Sequence, residues 1–398
     1  MRLGARAAHI TQGGSDGWEV YYAARDMASR GEAVVNLTIG DHDVKTDPAI
    51  LKAMHDSAMG GHTGYTVGPG TRALREAIAA RTRARTGVPT DWENVVVTTG
   101  GQTALFLAHM VLTGAGETGL FFDPHYATYP GTIRTTGAEA AAVPTRAEAA
   151  FLPEGRAILD AVARAGTSGA PARTLLMNTP NNPTGTIYPR PTVEAVAGAA
   201  RDADLWLISD EVYDTMVWHG AHLSPRALPG MRERTLVVGS LSKSHAMTGS
   251  RLGWIVAEPE VIAAVSAVAL NTTYAVPGFI QDAAWYALSL GEGFEERIAA
   301  PFRARLAVAE AALARANAVR MVPPGGGMFV MLDIRATGLT GGAFAGRLLE
   351  EERIAVMPGE SFGQAAAGHV RVAMTVPESA LGEAMGRLRR FAEGLAGA

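Results

Sequence analysis

Short apolar runs alternate with longer segments of helical periodicity through the middle of the chain. Runs at 95–98, 119–122, 174–177, 205–209, 236–238 and 252–256 are too short for helices and rich in Val, Leu and Ile, so they predict strands. Apolar residues at helical spacing over 103–111, 156–165 and 192–202 predict helices between them. That alternation is the signature of an α/β domain built on a mainly parallel sheet. The last third reads differently. A long amphipathic stretch at 293–316 leads through Gly325-Gly326-Gly327 into a strand-like run at 328–334, a helix at 342–352 and a closing helix at 378–395. This mixture predicts a smaller α+β domain, joined by an N-terminal helix at 18–30. The expected division is an N-terminal segment 1–44, a large domain 45–287 and a small domain 288–398.

Polar and glycine-rich residues follow nearly every expected strand: Gly100-Gly101-Gln102, then 123–126, 178–185, 210–213 and 240–243. Each alone reads as an ordinary strand-to-helix turn. In a parallel sheet, however, all five emerge at the carboxyl edge, where ligands bind.

Composition narrows the chemistry. With 39 acidic and 35 basic residues scattered along 398, the net charge of -4 argues against nucleic acid as a partner. The absence of cysteine excludes disulfides, thiolate zinc sites and thiol nucleophiles. The ten histidines form no H-E-x-x-H pair, so no metal is expected. No stretch reaches the roughly 20 apolar residues of a membrane span, and 1–14 lacks the apolar core of a signal peptide. The expectation is a cytoplasmic protein. Only three of the 35 cations are lysine, namely Lys45, Lys52 and Lys243. Lys243 follows a strand, within Ser240-Leu241-Ser242-Lys243-Ser244. Arginine cannot form an imine with an aldehyde and lysine can, so Schiff-base chemistry would retain a lysine in an arginine-biased chain. Alone, Lys243 reads equally as a surface lysine that escaped the bias. A Walker loop is excluded because Ser242 stands where glycine must precede the lysine.

The neighbouring turns would suit a phosphorylated aldehyde. Gly101 and Gln102 at a helix start can offer N–H groups to phosphate, with Ser240 and Arg251 beside them. Asp210 can keep a pyridine nitrogen protonated, Tyr213 and Asn182 can donate to a ring oxygen, and Tyr126 can stack on the ring.

Asn178-Thr179-Pro180-Asn181-Asn182-Pro183-Thr184-Gly185 resembles the N-x-P-x-N-P-T-G signature of class I/II, fold-type I pyridoxal phosphate-dependent aminotransferases. Ser240 to Lys243, with Gly249-Ser250-Arg251-Leu252-Gly253, resembles that family's lysine motif, and the likeness runs from about Asn36 to Arg371. The resemblance implies that Lys243 carries pyridoxal 5'-phosphate as an imine and that Asp210, Tyr213, Asn182 and Tyr126 hold its ring. It implies that Gly101, Gln102, Ser240 and Arg251 hold the phosphate, and that Arg371, with Asn182 and the Gly40 backbone, binds the substrate carboxylate. Tyr65 would reach the cofactor of a partner subunit in a homodimer. The activity implied is ping-pong transfer of an amino group between an α-amino acid and a 2-oxo acid. A β-lyase acting on C–S bonds is the alternative on the same fold. A non-catalytic regulator is disfavoured because 1–36 is too short for a DNA-binding module. Gln102 stands where aspartate-type relatives often carry a lysine, so a strict aspartate preference is not expected. The segment 17–22 is expected to close over the site, and His245 is expected to pack.

Overall fold

Seven strands form the larger sheet of the computed structural model, which describes residues 4–11 and 17–397. Part of the expected N-terminal segment 1–44 lies outside the described residues. In chain order the strands are β1 (Val95–Thr98), β2 (Thr118–Asp123), β3 (Glu139–Pro144), β4 (Ala172–Asn178), β5 (Trp206–Asp210), β6 (Thr235–Ser240) and β7 (Gly253–Val256). Their spatial order is β1-β7-β6-β5-β4-β2-β3, and every pairing is parallel except the two made by β7.

Both faces of this sheet are covered, which is why its strands read as continuous apolar runs. Leu120, Phe122, Leu175, Met177 and Leu207 face helices Gly155–Thr167 and Arg190–Asp202 through Ile158, Val193 and Val196. Phe121, Leu176, Ile208, Leu236 and Val238 face Gly101–Leu112 and Pro259–Leu270 through Leu105, Ala108, Ile262 and Val265. Strand β3 is the one the apolar runs do not predict. It lies at the sheet edge, partly exposed, and its middle is Ala140-Ala141-Ala142.

The second sheet is antiparallel, with β8 (Arg320–Met321), β9 (Phe329–Asp333), β10 (Met357–Pro358) and β11 (His369–Ala373) in the order β10-β11-β9-β8. Helices Glu292–Leu313 and Glu378–Ala396 cover it through Phe302, Leu306, Leu381 and Leu388. Helix Glu19–Ser29 packs Ala24 against Leu349 and Ala355. Immediately after it, Val35–Asn36 pairs in parallel with Ile354–Ala355. That pairing delivers residues 38–41 to a cavity between the two sheets.

Candidate active site

A cavity of about 450 Å³ opens at the carboxyl edge of the large sheet. Every turn singled out in the sequence contributes to its wall: Gly101 and Gln102 after β1, Tyr126 after β2, Asn182 after β4, Asp210 and Tyr213 at β5, and Ser240 and Lys243 at β6. Gly40 and Arg371 close it from the smaller sheet. Arg251 arrives because β7 runs antiparallel, so its amino end lies at the same edge; Ser240 stands opposite Gly253. Tyr65 alone among the expected residues does not line the cavity. It is 91% exposed, with Tyr274 edge-on beside it at 5.2 Å.

One end of the cavity is a concentration of N–H donors. Helix Gly101–Leu112 begins there without a side-chain cap, leaving its first-turn amides without helical acceptors. Gly100 takes a φ of +88°, and a Cβ on it would meet Arg251 Nη2 at 2.4 Å. A Cβ on Gly253 would meet the Gly100 and Gly101 backbone at 2.7 Å, so these glycines let a strand, a helix start and a guanidinium converge. Ser240 Oγ accepts from the Ser242 amide at 3.0 Å. Arg251 Nη1 donates to the Thr248 carbonyl at 2.9 Å.

At the floor, the Asp210 carboxyl is enclosed by protein. Tyr129 donates to its Oδ2 at 2.7 Å, the Val212 amide donates to Oδ1 at 3.3 Å, and Asn178 Nδ2 bonds its backbone carbonyl at 2.9 Å. Burial pushes Asp210 up to about 6 although both side-chain hydrogen bonds act the other way. Tyr213 is raised chiefly by burial, with Asn182 beside its hydroxyl partly offsetting that. Tyr126 meets Tyr129 edge-on at 5.7 Å.

The Lys243 amine donates to the Gly40 carbonyl. Burial lowers it to about 8, with Arg371 and Arg251 lowering it further and Asp41 opposing them. A fraction of such an amine is deprotonated near neutrality, the state a nucleophile requires. Arg371 sits in β11 opposite Met331, with its guanidinium carbon 4.2 Å from the Phe329 ring centre and 4.3 Å from that of Phe362. Nη1 donates to Asn182 Oδ1 at 2.9 Å, Nη2 donates to the Thr38 carbonyl, and Nε is buried without a partner. Burial lowers this guanidinium to about 10.

Two expectations gain detail. The Gln102 amide is committed at both ends, donating to Thr132 Oγ1 at 2.7 Å and accepting from Thr128 at 2.9 Å. Of the segment 17–22, Trp18 reaches the cavity wall. His245 stacks on Phe294 at 5.3 Å and packs as expected. Sequence reasoning did not single out Tyr129 or Asp41, and gave Asn178 no role beyond opening the signature. Tyr129 carries a usable signal, since it lies three residues beyond Tyr126, where the turn closed by the Tyr129 amide on the Tyr126 carbonyl brings the two rings together.

Residues 32–388 match the family described as aminotransferase class I and II. The chain is 39% identical to an arginine–pyruvate transaminase of Pseudomonas aeruginosa, covering all of both chains. It is 33% identical to an aspartate/prephenate aminotransferase of Thermus thermophilus over 92% of this chain and 93% of that one. Among solved structures, the aspartate aminotransferase of Thermus thermophilus with maleate superposes with a TM-score of 0.90 at 31% identity, covering 98% of this chain and 100% of the other.

Proposed function

We propose, for a chain that belongs to the class I and II aminotransferase family and is an aminotransferase of fold type I, that its amino-group carrier is pyridoxal 5'-phosphate, seated in the cavity at Lys243. The observation that carries this is one cavity holding a lysine amine at about 8 and, on its floor, a buried carboxyl with no cation against it among the described residues.

The residues fit the group. A carboxyl pushed up to about 6 by burial lacks a positive partner, and a protonated ring nitrogen would supply one. The uncapped start of helix Gly101–Leu112, with Ser240 and Arg251 beside it, gathers amide, hydroxyl and guanidinium donors where a phosphate would sit, and a Cβ on Gly100 would intrude on Arg251. Bound there, the cofactor supplies an aldehyde that accepts the amino group and a ring that absorbs the charge released at the donor's α-carbon.

Lys243 would attack as nucleophile and then, freed, carry the proton from the donor's α-carbon. Asp210 would keep the ring nitrogen protonated, with Tyr129 orienting its carboxylate. Tyr213 and Asn182 would donate to the ring oxygen, and Tyr126 would cover the ring face. Gly101, Gln102, Ser240 and Arg251 would hold the phosphate. Arg371 would clamp the α-carboxylate, its rotamer fixed between Phe329 and Phe362, with Asn182 and the Gly40 backbone beside it. The transfer runs in two halves, one amino acid leaving as a 2-oxo acid before the second enters.

The proposed organisation remains 1–44, 45–287 and 288–398. A homodimer is supported by the exposed large hydrophobic side chains of Met59, Tyr65, Val67 and Tyr274, of which Tyr65 and Tyr274 meet edge-on, with Tyr65 serving the partner's site. No helix among the described residues is long and apolar enough to cross a membrane, and a cytoplasmic location is proposed. The test is borohydride reduction of the purified holoprotein followed by peptide mapping. The adduct is expected on Lys243, with Lys243→Ala inactive; an adduct on Lys45 or Lys52 would refute the assignment.

A further inference from the structure

We propose that the amino donor carries a cationic side chain, of the arginine, ornithine or lysine class, and that the Asp41 carboxylate is the group that reads it. This rests on the aminotransferase reading above. The relatives do not choose a donor, since one is named for arginine and another for aspartate or prephenate.

The charges that line the cavity do choose. Its cations are Lys243, Arg251 and Arg371, and each has a task on the cofactor or on the α-carboxylate common to all donors. Its carboxyls are Asp210 and Asp41. Asp210 is enclosed at the floor and bonded by Tyr129 and Val212. Asp41 is exposed to the cavity and makes no hydrogen bond or ion pair among the described residues. Its neighbours in sequence are otherwise engaged. Asp43 binds both Nη atoms of Arg305 at 2.8 and 2.6 Å, and His42 contacts the Lys243 carbonyl at 2.9 Å. Asp41 therefore remains as the charge in the cavity that the common chemistry leaves unmatched.

Among the described residues lining the cavity an acidic donor side chain would find no spare cation, because Gln102 is neutral and already held by Thr128 and Thr132. It would also meet the like charge of Asp41. A neutral side chain would cover Asp41 and leave it without a partner. A guanidinium or ammonium gains a charge-assisted hydrogen bond there.

Asp41 also acts on Lys243, whose proton its field favours, so the experiment must separate recognition of the donor from support of that charge. Wild-type holoenzyme and Asp41→Asn are compared for kcat/KM with arginine, ornithine and the neutral norvaline, with pyruvate as acceptor. Competition by 5-guanidinopentanoate, which keeps the carboxylate and guanidinium but cannot react, is measured against hexanoate. The wild type is expected to favour arginine over norvaline. In Asp41→Asn that ratio should fall ~10-fold or more, the scale of one lost charge-assisted hydrogen bond, and guanidinopentanoate should lose affinity relative to hexanoate. A wild type that favours norvaline overturns the proposal. So does a variant that slows all donors alike with the ratio intact, which would assign Asp41 to Lys243. Turnover of aspartate but of none of the cationic donors overturns this proposal and leaves the aminotransferase reading standing, whereas no turnover with any amino donor, aspartate included, removes both.

Discussion

Replacing Asp210 with Asn should stabilise the cofactor-free protein, by an amount that grows with pH. Asparagine keeps the shape but cannot ionise, and its single carbonyl oxygen still accepts one of the two hydrogen bonds that Tyr129 and Val212 donate to separate carboxylate oxygens; the lost one is a difference that does not change with pH. The folded Asp210 titrates at about 6 against an ordinary 3.8, so its ionised form is disfavoured inside the fold. The sign follows directly. Below the ordinary value the carboxyl is protonated in both states and costs nothing; as pH rises through the folded value the penalty becomes complete. Linkage between those two values gives about 1.6 kcal/mol at pH 5 and about 3 kcal/mol at pH 8. The advantage of Asp210→Asn over wild type, read from urea unfolding of the cofactor-free proteins, should therefore grow by about 1.4 kcal/mol across that interval. Constant differences in packing between the two side chains cancel in the growth. An advantage that is flat or shrinks with pH would show that the carboxyl is not ionised against a low dielectric. In the loaded enzyme the same substitution should cut turnover ~100-fold or more, because the ring nitrogen loses the charge that keeps it protonated when the transition state forms.

Arg371→Lys should raise KM for every amino donor by ~10-fold or more, since an ammonium cannot reproduce the two-pronged grip or the stacking between Phe329 and Phe362; a rise confined to some donors would point to side-chain recognition instead. Light scattering should report a dimer, and Tyr65→Phe should weaken cofactor retention while leaving the dimer intact. A fully active monomer would refute the shared site.

The parts of this molecule that were legible in its sequence are those whose physics is local. Strands buried on both faces must be apolar throughout, so β1, β2 and β4 to β7 stand out as short unbroken runs. The turns after them show their polarity because they leave the core together. Strand β3 escaped because an edge strand needs no apolar run, and alanine carries little strand preference. Arg371 was legible through family resemblance alone: what marks it is the pair of rings from Phe329 and Phe362, and sequence spacing does not show that contact. Asp41 went unnoticed two residues before Asp43, because only the folded cavity reveals which of two nearby carboxylates has a partner.

The pairing of Val35–Asn36 with Ile354–Ala355 bears on how the enzyme is made. During synthesis the first of these strands leaves the ribosome near the beginning and waits for a partner encoded near the end. Until that partner emerges, residues 38–41 lack the strand pairing beside them and the Arg371 anchor for Thr38, and have only contacts such as the Lys243 bond to the Gly40 carbonyl to hold them against the large domain. A nascent chain can thus assemble its phosphate cup and lysine while lacking the means to grip an amino acid. On the proposed reading catalytic competence arrives only with the final segment of the polypeptide, and truncated products of interrupted translation are expected to turn over no amino acid even where their phosphate cup has formed.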